Sequence, residues 1–157
     1  ASSTTINAVD YDLGRNGVAY FDLDTADYHV SGIKGAGNKG RVYRNDGVDI
    51  RRDSATSNNY YVSDFEKGEW LQYTIRVVKK GNYTLKLQIS SNQPGGQLSL
   101  QVNGKTTGQS ITVPQTNSPA DWQVQEIKQV PLNAGKQVLR IYADAGTVNL
   151  KSIEVSK

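Results

Sequence analysis

The chain of 157 residues contains no cysteine and no methionine, and it has only one histidine and four prolines. The absence of cysteine excludes disulfides, thiolate nucleophiles and zinc–sulfur sites. No apolar run approaches the roughly 18 residues that are needed to cross a bilayer, so a membrane partner is not expected. The net charge is only +3, and basic residues pair at most, as in Arg51-Arg52 and Lys79-Lys80. Such scattered charge argues against a nucleic-acid partner.

Groups that perform catalysis are also scarce. The single histidine, His29, lies in a Gly- and Asp-rich segment over residues 23–47, where a loop position is favoured over a catalytic base. The sequence has no Gly-x-Ser-x-Gly motif. Glu66 and Glu69 flank a strand start, and we expect both to be solvated. The sequence therefore predicts a protein that is not an enzyme, with a small hydrolase or lyase domain as the alternative.

Apolar and polar residues alternate through most of the second half of the chain, which is the period of a half-buried β-strand. The runs 71–77, 83–89 and 98–102 show this alternation most clearly. Asn103-Gly104 follows the third run and has the positive-φ preference of a tight hairpin turn.

The last strand and the number of strands indicate the architecture. Between Leu150 and Ile153 the alternation changes phase, which predicts a β-bulge. Many short strands, turn signals between them and no helical period predict an all-β fold, an antiparallel β-sandwich. We find no linker or repeat, so we expect one domain over residues 1–157.

Two residues next to strand ends suggest a sugar-binding site. Trp122 follows a loop-forming run over residues 115–121, and Asn149 stands at the start of the last strand. A flat indole can cover the C–H face of a pyranose while an amide pairs with its hydroxyls, although Trp122 could also fill the core. Trp70 lies inside a strand and is expected to be a core or sheet-face residue. Tyr60-Tyr61 cannot both face inward, so one of the two lies near the surface.

A cation site is a second possibility, in the Gly-rich segment. Asp22, Asp24, Asn38 and Asp46 carry the hard oxygen ligands that calcium prefers. Their spacing matches no EF-hand, and surface Asp and Asn residues in turns explain the same pattern. Calcium there would be structural, holding the loop.

Five fragments, in order along nearly the whole chain, resemble the family 6 carbohydrate-binding modules. They are Val9-Asp10-Tyr11-Asp12, Gly17-Val18-Ala19-Tyr20-Phe21-Asp22, Tyr43-Arg44-Asn45-Asp46-Gly47-Val48-Asp49-Ile50, Gly68-Glu69-Trp70-Leu71-Gln72-Tyr73 and Asn149-Leu150. The resemblance implies a β-sandwich of jelly-roll type that binds polysaccharide without catalysis and is attached to a secreted glycoside hydrolase. The third fragment looks most like modules on agarases and related galactan-degrading enzymes.

The resemblance also implies where sugar binds. Family members grip one sugar between two aromatic rings near the sandwich tip, with an asparagine late in the chain and a carboxylate from an early loop. The residues expected at this site are Trp122, Asn149, Asp64, Phe65, Asp22 and Tyr43. Asp64 occupies the usual place of the second ring, so either a neighbouring Tyr supplies that ring or Asp64 hydrogen-bonds the sugar.

The resemblance further implies calcium, with a departure from the family pattern. The glutamates that usually hold the family's structural ion are replaced by Asn7 and Val9, and a second ion would lie in the loop from Asp22 to Asp46. The function predicted from the sequence is that of a secreted, monomeric module that targets an attached glycoside hydrolase to agarose or a related galactan or β-glycan. A cell-surface adhesion domain that binds protein is a further alternative.

Overall fold

The structure, a computed structural model, describes residues 2–23, 38, 42–44 and 46–157. In this part of the chain eleven strands form two sheets, and every pairing between the strands is antiparallel. The first sheet contains β1 (Ser3–Asn7), β3 (Ile50–Arg52), β4 (Tyr60–Glu66), β6 (Gly81–Ser90), β9 (Gln123–Leu132) and β11 (Thr147–Ser156). The second contains β2 (Tyr20–Phe21), β5 (Trp70–Val77), β7 (Gly96–Val102), β8 (Lys105–Val113) and β10 (Gly135–Ala145).

The strand order makes this a sandwich and confirms the predicted fold class. The first sheet has the order β3-β4-β11-β6-β9, with β1 also pairing β11, and the second has the order β2-β5-β10-β7-β8. Strands that follow one another in sequence therefore often lie in different sheets. A short 3-10 helix, Ala8–Asp10, follows β1. No helix in the described residues is long and apolar enough to span a bilayer.

The core lies between the two sheets and consists of the apolar residues that alternate along each strand. In β5, Leu71 and Tyr73 are buried, while Gln72 between them and Thr74 after them are not. Pure alternation of this kind gives each sheet one apolar face, and packing two such faces together removes both from water. Truncating a buried leucine in such a core costs about 2–5 kcal/mol of stability.

The predicted hairpin and bulge are both confirmed. Asn103 and Gly104 join β7 to β8 with φ angles of 49° and 80°, as a two-residue hairpin turn requires. The register of β11 against β6 shifts between Leu150 and Ser152, which leaves Lys151 without a residue opposite it. A bulge re-aims side chains near a strand end, and this one lies beside Asn149.

Candidate functional site

Trp122 lies on the outer face of the first sheet, immediately before β9. Its half-buried indole meets the ring of Tyr61 in β4 edge to face, with ring centroids 5.1 Å apart and planes at 74°. Tyr61 is 6% exposed and lies outside the core cluster, whereas its neighbour Tyr60 packs against that cluster. Tyr61 therefore faces outward and is covered by Trp122, and burial raises its pKa. The ring next to the indole is thus a buried tyrosine, and whether a tyrosine serves as the second sugar-binding ring stays a prediction.

The loop before Trp122 is held by its own hydrogen bonds. Thr116 N–H donates to Ser91 O at 2.8 Å, and Thr116 Oγ1 donates to Ser118 O at 2.9 Å. Asp121 accepts hydrogen bonds from Asn117 N–H and from Gln123 Nε2, each at 3.2 Å. A loop fixed in this way loses little conformational entropy when a ligand binds.

Asn149 is 7% exposed, and the two polar atoms of its side chain differ in their hydrogen bonding. Nδ2 donates to Ser90 Oγ at 3.0 Å, and Ser90 Oγ donates to Pro119 O at 2.7 Å. In the described part of the chain Asn149 Oδ1 accepts no hydrogen bond. Asp53 Oδ1 is the one fully sealed side-chain polar atom there without a partner, so Asn149 Oδ1 is not completely sealed, although the residue as a whole is buried. The amide is thus oriented by one end and offers an acceptor at the other.

Two ion pairs flank this site. Lys151 Nζ lies 5.3 Å from the centroid of the Trp122 ring and donates to Asp53 Oδ2 at 2.5 Å. Arg51 Nη2 donates to Asp64 Oδ2 at 3.2 Å, and Ser63 Oγ donates to the same oxygen at 3.1 Å. Each cation is matched by a carboxylate, so the two pairs add no net charge beside the indole.

Phe65 is a correction to the expected site. It is 2% exposed and belongs to the core, where it lies opposite Val148 of β11. Its ring is therefore unavailable to a sugar. The reason is local: Asp64 has a positive φ of 51°, and the pairing of β4 with β11 shifts between Val62 and Phe65. The extra residue places Val62 and Phe65 on the same, inward side.

Asp22 and Tyr43 stay predictions as sugar contacts. Asp22 is buried after β2, where its backbone N–H and C=O bond the side-chain amide of Asn16. Tyr43 is half exposed, donates its hydroxyl to Asp10 and stacks on Tyr60, with ring centroids 4.9 Å apart. Tyr43 therefore contacts the inward-facing Tyr60, while Trp122 contacts Tyr61.

Two members of the predicted calcium set, Asn38 and Asp46, use their side chains in hydrogen bonds within the protein. Asn38 donates through Nδ2 to Val42 O and Arg44 O, and its Oδ1 accepts from Ile50 N–H. Both oxygens of Asp46 accept from the Tyr11 hydroxyl. No cluster of three His, Cys, Asp or Glu residues suited to a metal occurs among the described residues. Asp24 lies outside the described residues, as does His29, and calcium binding stays a prediction.

Glu69 is a second correction, because it is buried and not solvated. The side chain is 4% exposed, Oε1 accepts from Leu23 N–H at 3.1 Å and Oε2 accepts from Glu66 N–H at 2.9 Å. Burial raises the pKa of this carboxyl to about 7, against the opposing effect of the two N–H donors. The carboxylate joins the β4–β5 turn to the segment after β2, which is a structural role.

Comparisons with known proteins identify the family. The model of the carbohydrate binding module family 6 matches residues 41–157. The chain therefore belongs to carbohydrate-binding module family 6, a family of non-catalytic glycan-binding domains. A comparison with curated protein sequences finds no match.

Solved structures share the fold. The C-terminal family 6 module of LamC, a marine laminarinase from Zobellia galactanivorans, aligns with a TM-score of 0.71 and 20% identity over 99% of this chain and 100% of that one. A family 6 module of Cellvibrio mixtus lichenase 5A, in complex with cellotriose, aligns with a TM-score of 0.67 and 22% identity over 98% and 96%. An uncharacterized Listeria monocytogenes protein, solved with glucose, magnesium and calcium, aligns with a TM-score of 0.61 and 22% identity over 70% and 11%.

Sequence reasoning missed several residues that the fold brings to Trp122. These are Tyr61, Lys151, Asp53 and Ser90. The Tyr60-Tyr61 pair carried a signal, since one of two adjacent strand residues must face away from the core. Lys151 and Asp53 carried none, because nothing in the order of residues indicates that β11 and the end of β3 lie near one another.

Proposed function

We propose that the chain binds polysaccharide at Trp122 and thereby targets an attached glycoside hydrolase to agarose or a related galactan or β-glycan. The observation that supports this most is the half-buried indole of Trp122, at the end of a loop that Ser90 links to the amide of Asn149. A pyranose stacked on the indole would donate a hydroxyl hydrogen bond to Asn149 Oδ1, and Asp64 at the edge of the site would accept another. Flat apolar surface with a few oriented polar groups is typical of ligand sites.

The size of this site sets the expected affinity. One or two sugar rings bury far less surface than a protein interface, so we expect dissociation constants on the order of micromolar or weaker. Attachment to an enzyme would compensate, because tethering raises the local concentration of catalytic sites at the polymer. We further propose that residues 1–157 form one secreted, monomeric module.

Replacing Trp122 by alanine tests the proposal. Removing the stacking surface should weaken binding about tenfold or more, since burying a large apolar side chain contributes about 1.5–3 kcal/mol. Affinity electrophoresis through gels that contain agarose, xylan or laminarin measures the effect. Trp70→Ala is the matched control, because it removes the other half-buried indole, and it should retain wild-type retardation. If Trp122→Ala migrates as wild type on every polymer that retards wild type, the site is elsewhere.

A further inference from the structure

The ammonium of Lys151 lies over the ring of Trp122, 5.3 Å from its centroid. This distance is within the range of about 6 Å in which a cation is attracted to an indole face. The side chain is not free to leave, because Nζ is bonded to Asp53 Oδ2 at 2.5 Å and the two side chains are only 27% and 17% exposed. One face of the indole is thus next to a fixed cation.

The second carboxylate oxygen of Asp53 is left without a partner among the residues that the structure describes. Its Oδ1 is sealed from solvent and accepts no hydrogen bond within the described residues. A buried acceptor without a donor is unfavourable, and such atoms in folded proteins call for an explanation. The other oxygen, Oδ2, is held by Lys151, whose bulged position in β11 brings Nζ over the ring of Trp122.

We propose that Lys151, held by Asp53, is a positioning residue of the sugar site that fixes the indole of Trp122 for stacking. Lys151 covers one face and Tyr61 meets the ring at right angles, so the indole is held by two neighbours on different elements. The sugar then stacks on the part of the indole that these two neighbours leave exposed. A prearranged ring binds more tightly because less motion is lost on binding. This inference rests on the proposed function of Trp122.

The first test follows the indole without any glycan. In a Trp70→Phe background Trp122 is the single tryptophan, and its near-ultraviolet circular dichroism and its quenching by acrylamide report its packing. Lys151→Met keeps the length of the side chain and removes the charge, so we expect stronger quenching and a weaker dichroism band. Lys151→Arg keeps the cation and should resemble the parent. Unchanged quenching and dichroism in Lys151→Met would overturn the positioning role.

A second variant separates positioning from folding. Lys151→Met leaves the Asp53 carboxylate unpaired and can destabilise the fold. The double variant Asp53→Asn, Lys151→Met removes both charges, and we expect wild-type thermal unfolding together with the increased quenching. If the double variant unfolds like the parent and its indole is as protected as in the parent, the ion pair does not position Trp122.

The third measurement links positioning to binding. On whichever of agarose, xylan or laminarin retards wild type, Lys151→Met should bind about twofold to tenfold more weakly, the range of a cation–π contact, and Lys151→Arg should restore binding. Wild-type retardation of Lys151→Met on a gel that discriminates Trp122→Ala would overturn the inference while leaving the proposed function intact. If Trp122→Ala itself binds normally, the proposed function fails, and the quenching data still decide whether Lys151 fixes the indole.

Discussion

The two tryptophans each lie between a tyrosine and a cation, yet their rings are covered differently. Trp70 lies on the outer face of the second sheet. The centroid of its ring is 6.3 Å from the centroid of the Tyr142 ring and 3.9 Å from the guanidinium carbon of Arg140. Arg140 Nε also donates to Gln72 Oε1 at 2.8 Å, which fixes the guanidinium above the ring. A planar guanidinium stacks on aromatic faces, so one face of Trp70 is occupied.

Trp122 differs in its position and in its cation. It precedes a strand, and its cation is the Lys151 ammonium at 5.3 Å, which is held by Asp53. An ammonium is a compact point charge and covers far less of a ring than a guanidinium plane does. The loop that precedes Trp122 is also linked through Ser90 to the amide of Asn149. The two half-buried indoles therefore differ in how much of one face their cation covers.

Replacing the tyrosine next to each indole, Tyr61 or Tyr142, should give the largest difference in stability between the two sides. Tyr61→Ala removes a ring that is 6% exposed beneath Trp122, and we expect it to lower the free energy of unfolding by about 3 kcal/mol. Tyr142 is only half buried, so Tyr142→Ala should cost about 1 kcal/mol or less. Urea unfolding of both variants measures the contrast. Equal losses would mean that Trp122 does not seal Tyr61.

The neighbour of Trp70, Glu69, should give the fold a pH dependence. Its pKa in the folded protein is about 7, above the ordinary value of 4.5, so its contribution to stability is fully present below pH 4.5 and is lost as the pH rises through 7. We expect the loss to be on the order of 2 kcal/mol after allowing for solvent screening. Glu69→Gln should flatten this dependence in urea unfolding at about pH 5 and about pH 8. An identical pH profile in the variant would contradict the assignment.

Removing an amide on the Trp122 side or on the Trp70 side should affect glycan binding differently. Asn149→Ala removes the open acceptor near Trp122 and should weaken glycan binding about fivefold, the value of a typical hydrogen bond. Gln101→Ala removes the amide that accepts from the Tyr142 hydroxyl at 3.3 Å on the Trp70 side, and it should leave binding unchanged. Gel retardation of both variants compares the two sides. Equal weakening would indicate that both faces contact the polymer.

Salt should have the smallest effect. Because Lys151 and Arg51 are each paired with a carboxylate, the site carries little net charge, and binding to a neutral glycan should change less than about twofold between about 50 and about 500 mM NaCl. Gel retardation at the two concentrations checks this. A steep loss with salt would show that an unpaired cation dominates binding.

Local patterns in the sequence were sufficient for several features. Alternation predicted the sandwich, the phase change near Leu150 predicted the bulge, and Asn103-Gly104 predicted the hairpin. Each depends on residues close together in the chain, where backbone preference and side-chain period act directly. The position of Trp122 next to a strand start was predictable for the same reason.

Two predictions were wrong, one at an irregularity within β4 and the other at a contact between distant residues. Phe65 enters the core because an irregularity at Asp64 reverses the expected face of the strand. Glu69 is buried because Leu23, 46 residues earlier, donates its N–H to the carboxylate. The first event does mark the alternation, since two polar residues, Ser63 and Asp64, separate Val62 from Phe65, whereas the second leaves no such mark.

The sequence by itself determined an alternating β protein with a tryptophan and an asparagine at strand ends, and its fragments resembled the right family. Only the tertiary structure decided which side chains surround that tryptophan. Asp53, Tyr61 and Lys151 come from the segment after β3, from β4 and from β11, which become neighbours through the order of the first sheet. Side-chain period is a property of one strand, whereas strand order depends on packing two complete sheets, and so the composition of the site follows from the whole fold.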